Sequence, residues 1–178
     1  MTLSEKVIEL HERLEAAGIP HAFGGALALA YYTLDPRGTS DIDLNIFVPE
    51  AHPEGALAAL PDGITDRQSA LDEIKTSGQA RLWWNETPID LFFDNVELHK
   101  SASLNAQNMP FSNTEIPILG PVELAAFKAL FNRTRDWADL EAMVAAGKFS
   151  VEEAALAVAG IAGEDDPRVA RLHSLVAT

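Results

Sequence analysis

Residues 21–46 contain the segments His21-Ala22-Phe23-Gly24-Gly25 and Asp41-Ile42-Asp43-Leu44-Asn45-Ile46, separated by an Ala- and Leu-rich run and a polar turn. Side chains of a β-strand point alternately to its two faces, so Asp41, Asp43 and Asn45 leave one face of the second segment. Two neighbouring carboxylates repel each other unless positive charge lies between them. Mg²⁺ suits such a place, because it is bound by one or two carboxylates together with substrate phosphates.

A half-exposed strand of an acidic protein shows the same alternation, so the Asp-x-Asp pattern alone does not establish a site. Two further features favour one. The glycine pair precedes a predicted short helix, which lets the backbone approach a phosphate closely and directs helix amide groups toward it. A second acidic strand, Pro88-Ile89-Asp90-Leu91-Phe92-Phe93, could lie beside the first and supply a third carboxylate.

These segments resemble the nucleotidyltransferase superfamily that includes DNA polymerase beta, the aminoglycoside nucleotidyltransferases and the nucleotidyltransferase toxins. The residues that carry the resemblance are Phe23-Gly24-Gly25, Asp41-Ile42-Asp43 and Asp90. The resemblance implies an α/β (α+β) fold with a mixed sheet. We expect a nucleotidyltransferase core over residues 1–120 and a helical C-terminal part over residues 121–178, packed on the core as one compact unit.

Length and composition limit the classes of function. The chain has 178 residues, about one domain, and its net charge of −14 argues against general affinity for nucleic acid. It has no cysteine, and its five scattered histidines form no zinc-binding pair. No apolar run approaches the roughly 20 residues that span a bilayer, and no basic-then-apolar signal pattern is found. We therefore expect a cytoplasmic protein that does not interact with membranes.

The remaining pattern predicts elements around this core. Leu3 to Ala17 has the apolar spacing of an amphipathic helix, with Thr2 and Glu5 as a capping box. Residues 79–84 and 88–93 predict a hairpin, followed by a helix over residues 96–104 and a loop rich in Asn, Gln and Ser. Residues 115–119 are predicted to form an edge strand because Pro117 interrupts them. Residues 49–78 and 147–178 carry no functional prediction.

A second informative segment covers residues 121–146. Lys128, Asn132, Arg135 or Asp136, and Asp139 recur at steps of three and four residues, so one continuous helix would place them on one polar stripe. A break near Asn132 would instead give two helices in a hairpin, and the alignment would be lost. A solvated face with intrahelical ion pairs is the alternative to a functional site.

The same segment resembles abortive-infection and type IV toxin–antitoxin nucleotidyltransferases, in which a helix with a lysine is followed by Arg-x-Lys-Asp-x-x-Asp-Leu. Here Arg135 replaces the lysine of that motif, and Asp136 and Asp139 match it. The resemblance implies that Lys128 contacts the triphosphate and that Asp136 orients the triphosphate or completes the site. It also adds a cognate regulatory protein as a partner.

The superfamily resemblance implies transfer of a nucleoside monophosphate from ATP or another nucleoside triphosphate to an acceptor hydroxyl. Asp41 and Asp43 would bind one or two Mg²⁺ ions, and Asp90 would bind the second ion and deprotonate or orient the acceptor. Gly24 and Gly25, with Ser40 or Thr39, would hold the triphosphate tail. Lys128 would neutralise the charge of the departing pyrophosphate.

Three alternatives remain open from the sequence. The acceptor could be a small cationic molecule, which the acidic composition favours, or a transfer RNA or protein, for which Lys128, Arg81, Arg133 and Arg135 would supply a basic patch. The chain could be a binding module that keeps the fold with a weakened site. It could also be an unrelated metal hydrolase that uses the same aspartates.

Overall fold

The computed structural model describes residues 1–176. Its strands are β1 (His21–Phe23), β2 (Ile42–Pro49), β3 (Ile64–Thr65), β4 (Gln79–Trp84), β5 (Thr87–Asp94), β6 (Gln107–Phe111) and β7 (Thr114–Ile118). They form one seven-stranded sheet in the order β3-β4-β5-β2-β1-β7-β6. The pairs β2–β5 and β1–β7 are parallel and the other pairs are antiparallel, so the sheet is mixed as the sequence predicted.

The helices within the described residues are α1 (Leu3–Ala16), α2 (Gly25–Tyr32), α3 (Glu54–Ala59), α4 (Arg67–Ser77), α5 (Glu97–Asn105), α6 (Pro121–Phe131), α7 (Thr134–Ala145), α8 (Val151–Ala162) and α9 (Pro167–Ser174). The capping box of α1 is confirmed: the amide of Glu5 donates to Thr2 Oγ1 at 3.2 Å, and the amide of Thr2 donates to Glu5 Oε2 at 2.7 Å. Among residues 1–176, the structure contains no helix that combines the length and the apolar character needed to cross a membrane.

Alternation along the central strands separates a buried face from a polar one. Ile42, Leu44 and Ile46 of β2 are at most 2% exposed, and they belong to one apolar cluster that extends from α1 to α9. The corresponding buried residues of β5 are Ile89, Leu91 and Phe93. The acidic residues of β2 and β5 lie between these positions and therefore leave the opposite face. That polar face is where α2, α6 and α7 meet the sheet.

The edge of the sheet differs from the prediction. Residues 115–119 were predicted to form an edge strand, but β7 pairs with β1 on one side and with β6 on the other. The edge is β6, which covers part of the predicted polar loop. In the pairing of β1 with β7, Phe23 lies opposite Ile118, next to Pro117. Proline has no amide hydrogen, so Pro117 can contribute only its carbonyl oxygen to strand pairing.

Candidate active site

The register of three neighbouring strands brings the acidic side chains together. Asp43 of β2 lies opposite Asp90 of β5, and Asp90 lies opposite Arg81 of β4. Paired strands are about 4.8 Å apart, so these three side chains are neighbours on one face of the sheet. Asp41 immediately precedes β2 and lines the same cleft. The predicted convergence of the acidic strands is therefore present in the fold.

Asp43 carries the least compensated negative charge of the cleft. Burial, followed by the charges of Asp41 and Asp90, raises the pKa of Asp43 to about 6, against the opposing effect of Lys128 and Arg133. Burial also raises the pKa of Asp41, but the Thr39 hydroxyl, which donates to Asp41, and the charges of nearby arginines outweigh burial and lower it below 3.8. A cation beside Asp43 would offset the negative charge of its carboxylate and favour the ionised form.

The glycine pair packs directly against the acidic strand. The amide of Gly24 donates to the carbonyl oxygen of Asp43 at 2.9 Å. Gly25 begins α2 with a φ of +53°, and a Cβ atom on it would lie 1.7 Å from Asp43 Oδ2. The absence of a side chain at Gly25 therefore makes room for the Asp43 carboxylate.

We expect Gly25→Ala to displace the Asp43 carboxylate and to weaken metal binding at least tenfold, as measured by calorimetry with Mg²⁺. Gly147→Ala is the matched control, because Gly147 has a similar φ of +62° and a Cβ atom there would meet nothing within 4 Å. Each substitution is expected to lower the free energy of unfolding by about 1–2 kcal/mol, because alanine is disfavoured in the left-handed backbone region. Urea unfolding measures this loss. Equal metal affinities for the two variants would contradict the steric role of Gly25.

A cluster of three cations and two aspartates faces the acidic strands. Lys128 Nζ of α6 lies 2.6 Å from Asp139 Oδ2 and 3.7 Å from Asp136 Oδ1, both on α7. Arg37 also binds Asp139 with two donors, at 3.1 and 3.2 Å. Arg133 binds Asp136 with two donors, at 2.6 and 3.1 Å. The cluster has one positive charge more than its aspartates neutralise, and this excess lies at the cleft.

The helix break at Asn132 is what assembles this cluster. Asn132 has a φ of +56° and ends α6, and its side chain accepts a hydrogen bond from Trp137 Nε1 at 2.7 Å. On one continuous helix Lys128 and Asp136 would be about 12 Å apart along the axis, too far for contact. The break near Asn132 was one of the two predicted alternatives, and the single-helix stripe is absent as that alternative implied. The turn nevertheless brings α7 back to Lys128.

The predicted site residues separate into two groups. Gly25, Asp41, Asp43, Asp90, Lys128 and Asp136 all line the cleft. Ser40 is exposed and Gly24 lies behind the cleft, with Thr39 rather than Ser40 contacting Asp41. Arg37 was missed by the sequence analysis, although its place in the polar turn before Asp41 was the available signal. Three aromatic residues of the cleft were also missed: Phe92, Phe127 and Phe131.

The carboxylates differ in how they could hold Mg²⁺. Asp41 and Asp43 both offer carboxylate oxygens to the cleft, and such oxygens are the ligands that a hard divalent cation prefers. Both oxygens of Asp90 are instead engaged by Arg81. Within residues 1–176, no three His, Asp or Glu side chains are grouped closely enough to hold one metal ion.

Comparison with known proteins identifies the fold. No family model matches the chain, and no curated protein sequence matches it. The solution structure of the antibiotic-resistance factor ANT(2'')-Ia is similar with a TM-score of 0.57 at 10% identity, covering 96% of this chain and 95% of that one.

Two further structures have lower scores. An antigenic nucleotidyltransferase-like protein from Paracoccidioides brasiliensis has a TM-score of 0.48 at 15% identity, covering 97% of this chain and 92% of that one. JHP933 from Helicobacter pylori has a TM-score of 0.49 at 17% identity, covering 97% and 78%. The mixed sheet with its helices, together with the likeness to ANT(2'')-Ia, shows that the chain has the α/β fold of nucleotidyltransferases.

Proposed function

We propose that the protein is a metal-dependent nucleotidyltransferase that moves a nucleoside monophosphate from a nucleoside triphosphate to an acceptor hydroxyl. The observation that carries the proposal is the single cleft in which Asp41, Asp43 and Asp90 face a cationic cluster. Five of the 13 lysine and arginine residues of this acidic chain line that cleft: Arg37, Arg81, Lys128, Arg133 and Arg135. Such a distribution suits a polyanionic ligand held beside a metal site.

Each residue has a chemical role in this proposal. Asp41 and Asp43 hold Mg²⁺, which when bound supplies charge neutralisation to the phosphates and to the departing pyrophosphate. Lys128 and Arg133 bind the triphosphate, and Asp136 keeps both cations in place through an ion pair with Lys128 and hydrogen bonds from Arg133. The N-terminus of α2 at Gly25 directs backbone amides toward the phosphate tail.

The reaction needs positioning and charge neutralisation more than covalent catalysis. The acceptor oxygen forms a bond to the α-phosphorus, and the bond from that phosphorus to the bridging oxygen of the β-phosphate breaks. The electron pair of that bond leaves with pyrophosphate. The hydroxyl proton passes to the carboxylate of Asp90 or to water. The register that sets Asp90 opposite Asp43 supports this role for Asp90.

Two classes of acceptor are compatible with the proposed reaction. A small cationic molecule would suit the overall charge of −14, and the likeness to an antibiotic-resistance factor fits that class. A transfer RNA substrate, as in a toxin–antitoxin system with a cognate regulator, would use the five cations of the cleft. Both belong to a cytoplasmic enzyme with access to nucleoside triphosphates.

The test is calorimetry with each of the four nucleoside triphosphates and Mg²⁺, followed by incubation of the α-³²P-labelled triphosphate with cell lysate. We expect Mg²⁺-dependent binding, a labelled acceptor and released pyrophosphate. Binding with no labelled acceptor would favour a binding module. Release of free monophosphate without a labelled acceptor would favour a hydrolase and contradict the proposal.

A further inference from the structure

Asp90 is held by a bidentate ion pair across two strands. Arg81 Nε lies 2.6 Å from Asp90 Oδ1, and Arg81 Nη2 lies 2.7 Å from Asp90 Oδ2. The two residues are directly opposite each other in the β4–β5 pairing, so the backbone register itself aims one side chain at the other. Parallel hydrogen bonds between a guanidinium and a carboxylate are among the stronger polar contacts in proteins.

The pair is part of the cleft rather than of a remote surface. Arg81 and Asp90 both line the cavity that also contains Asp41 and Asp43, and Asp90 lies next to Asp43 in the β2–β5 register. A second divalent cation on Asp90 would lie about 3.5–4 Å from an ion on Asp41 and Asp43, as in two-metal sites. It would need at least one of the Asp90 oxygens that Arg81 engages, and it would face the positive charge of that guanidinium.

We propose that Arg81 takes the place of a second metal ion, so that the site binds one divalent cation on Asp41 and Asp43. This inference rests on the proposed function and narrows its metal requirement. Arg81 is then a positioning residue: it orients Asp90 and supplies positive charge beside that carboxylate. The guanidinium suits this role because it keeps its charge at all physiological pH values.

A surface ion pair that serves only strand pairing is the competing explanation. Arg81 has 55% of its side chain exposed, whereas the side chain of Asp90 is 19% exposed, so the contact lies at the rim of the cleft. Exposed ion pairs contribute little to stability. The two explanations differ in the number of metal ions that bind once the guanidinium is removed.

The experiment counts Mn²⁺ ions by electron paramagnetic resonance on the full chain. The probe is Mn²⁺ with the α,β-methylene analogue of whichever triphosphate calorimetry selects. We expect wild type to bind one Mn²⁺ with a mononuclear six-line spectrum. Arg81→Gln frees Asp90, and we expect it to bind two ions with the spin-coupled spectrum of a dinuclear site. The double variant Arg81→Gln with Asp90→Asn should return to one ion.

Arg168→Gln is the matched control, because it removes a bidentate pair with Asp166 at the start of α9, outside the cleft. It should bind one ion. Two coupled ions on wild type, or one ion on both wild type and Arg81→Gln, would overturn the inference. If no triphosphate binds, the proposed function fails separately and the count is made with Mn²⁺ alone. One ion on wild type and two on Arg81→Gln would still support the role of Arg81, and equal counts would overturn it.

Discussion

Asp43→Asn is expected to abolish nucleotidyl transfer and, in the same protein, to increase stability at neutral pH. The amide of the variant cannot supply the anionic ligand that Mg²⁺ requires. The transition state therefore loses several kcal/mol of stabilisation by the metal ion, which lowers the rate of transfer at least about 10³-fold. The side chain keeps its volume, so the contact with Gly25 remains. Activity would be followed as transfer of α-³²P label to the acceptor.

The gain in stability follows from the pKa of Asp43, which is about 6 in the folded protein against 3.8 for an unperturbed aspartate. The folded state holds the proton more tightly than the unfolded state. The free energy of unfolding therefore falls as the pH rises from about 4 to about 6, and the full penalty persists above pH 6. Removing the charge should recover about 1–3 kcal/mol at pH 7.5 and almost nothing at pH 4.

Urea unfolding of wild type and Asp43→Asn at both pH values, in EDTA, measures this difference. Asp72→Asn is the control, because Asp72 is an exposed aspartate on α4 and its substitution changes the net charge equally. A variant that is inactive and less stable than wild type at pH 7.5 would show that Asp43 serves the fold rather than a cation site. Retained activity would remove the metal role of Asp43 altogether.

The acidic side of the site was predictable because it depends on local rules. Alternation places Asp41 and Asp43 on one face of a strand whatever the rest of the chain does. The second acidic strand was recognised as one that could lie beside the first, and the fold pairs the two strands with Asp43 opposite Asp90. Arg81 was named as one of the candidate cations and lies in a predicted strand, but its partner depends on the hairpin register, which the sequence does not determine residue by residue.

The cationic side of the site was only partly predictable, because it depends on tertiary contacts. Lys128, Asp136 and Asp139 were identified, but their meeting requires a left-handed Asn132 between two helices. The local sequence equally allowed one long helix. Arg37 reaches Asp139 from a turn that is about a hundred residues earlier, and no periodic pattern connects two such positions. The arrangement of the residues in this cluster could therefore not be predicted from the sequence.

Lys128→Met is expected to destabilise the protein by about 1–3 kcal/mol, because it removes the buried, charge-assisted hydrogen bond that Lys128 donates to Asp139. Lys128 and Asp139 have only 6% and 7% of their side chains exposed, so water cannot replace the lost contact. Arg37 and Arg133 still pair with Asp139 and Asp136, which keeps the loss below that of an isolated buried pair. Urea unfolding at pH 7.5 measures the change.

The double variant Lys128→Met with Asp139→Asn separates folding from ligand binding. Neutralising Asp139 removes a buried carboxylate that has lost its shorter ion pair and keeps only the one with Arg37. We therefore expect it to recover part of the lost stability without restoring a cation at the cleft. Calorimetry on this variant should show triphosphate affinity reduced at least tenfold and monophosphate affinity changed much less, because Lys128 neutralises the phosphate tail. Equal losses for both nucleotides would place Lys128 outside the phosphate site. Its ion pairs would then belong to the fold, and Arg37 and Arg133 would be the cations that receive the triphosphate.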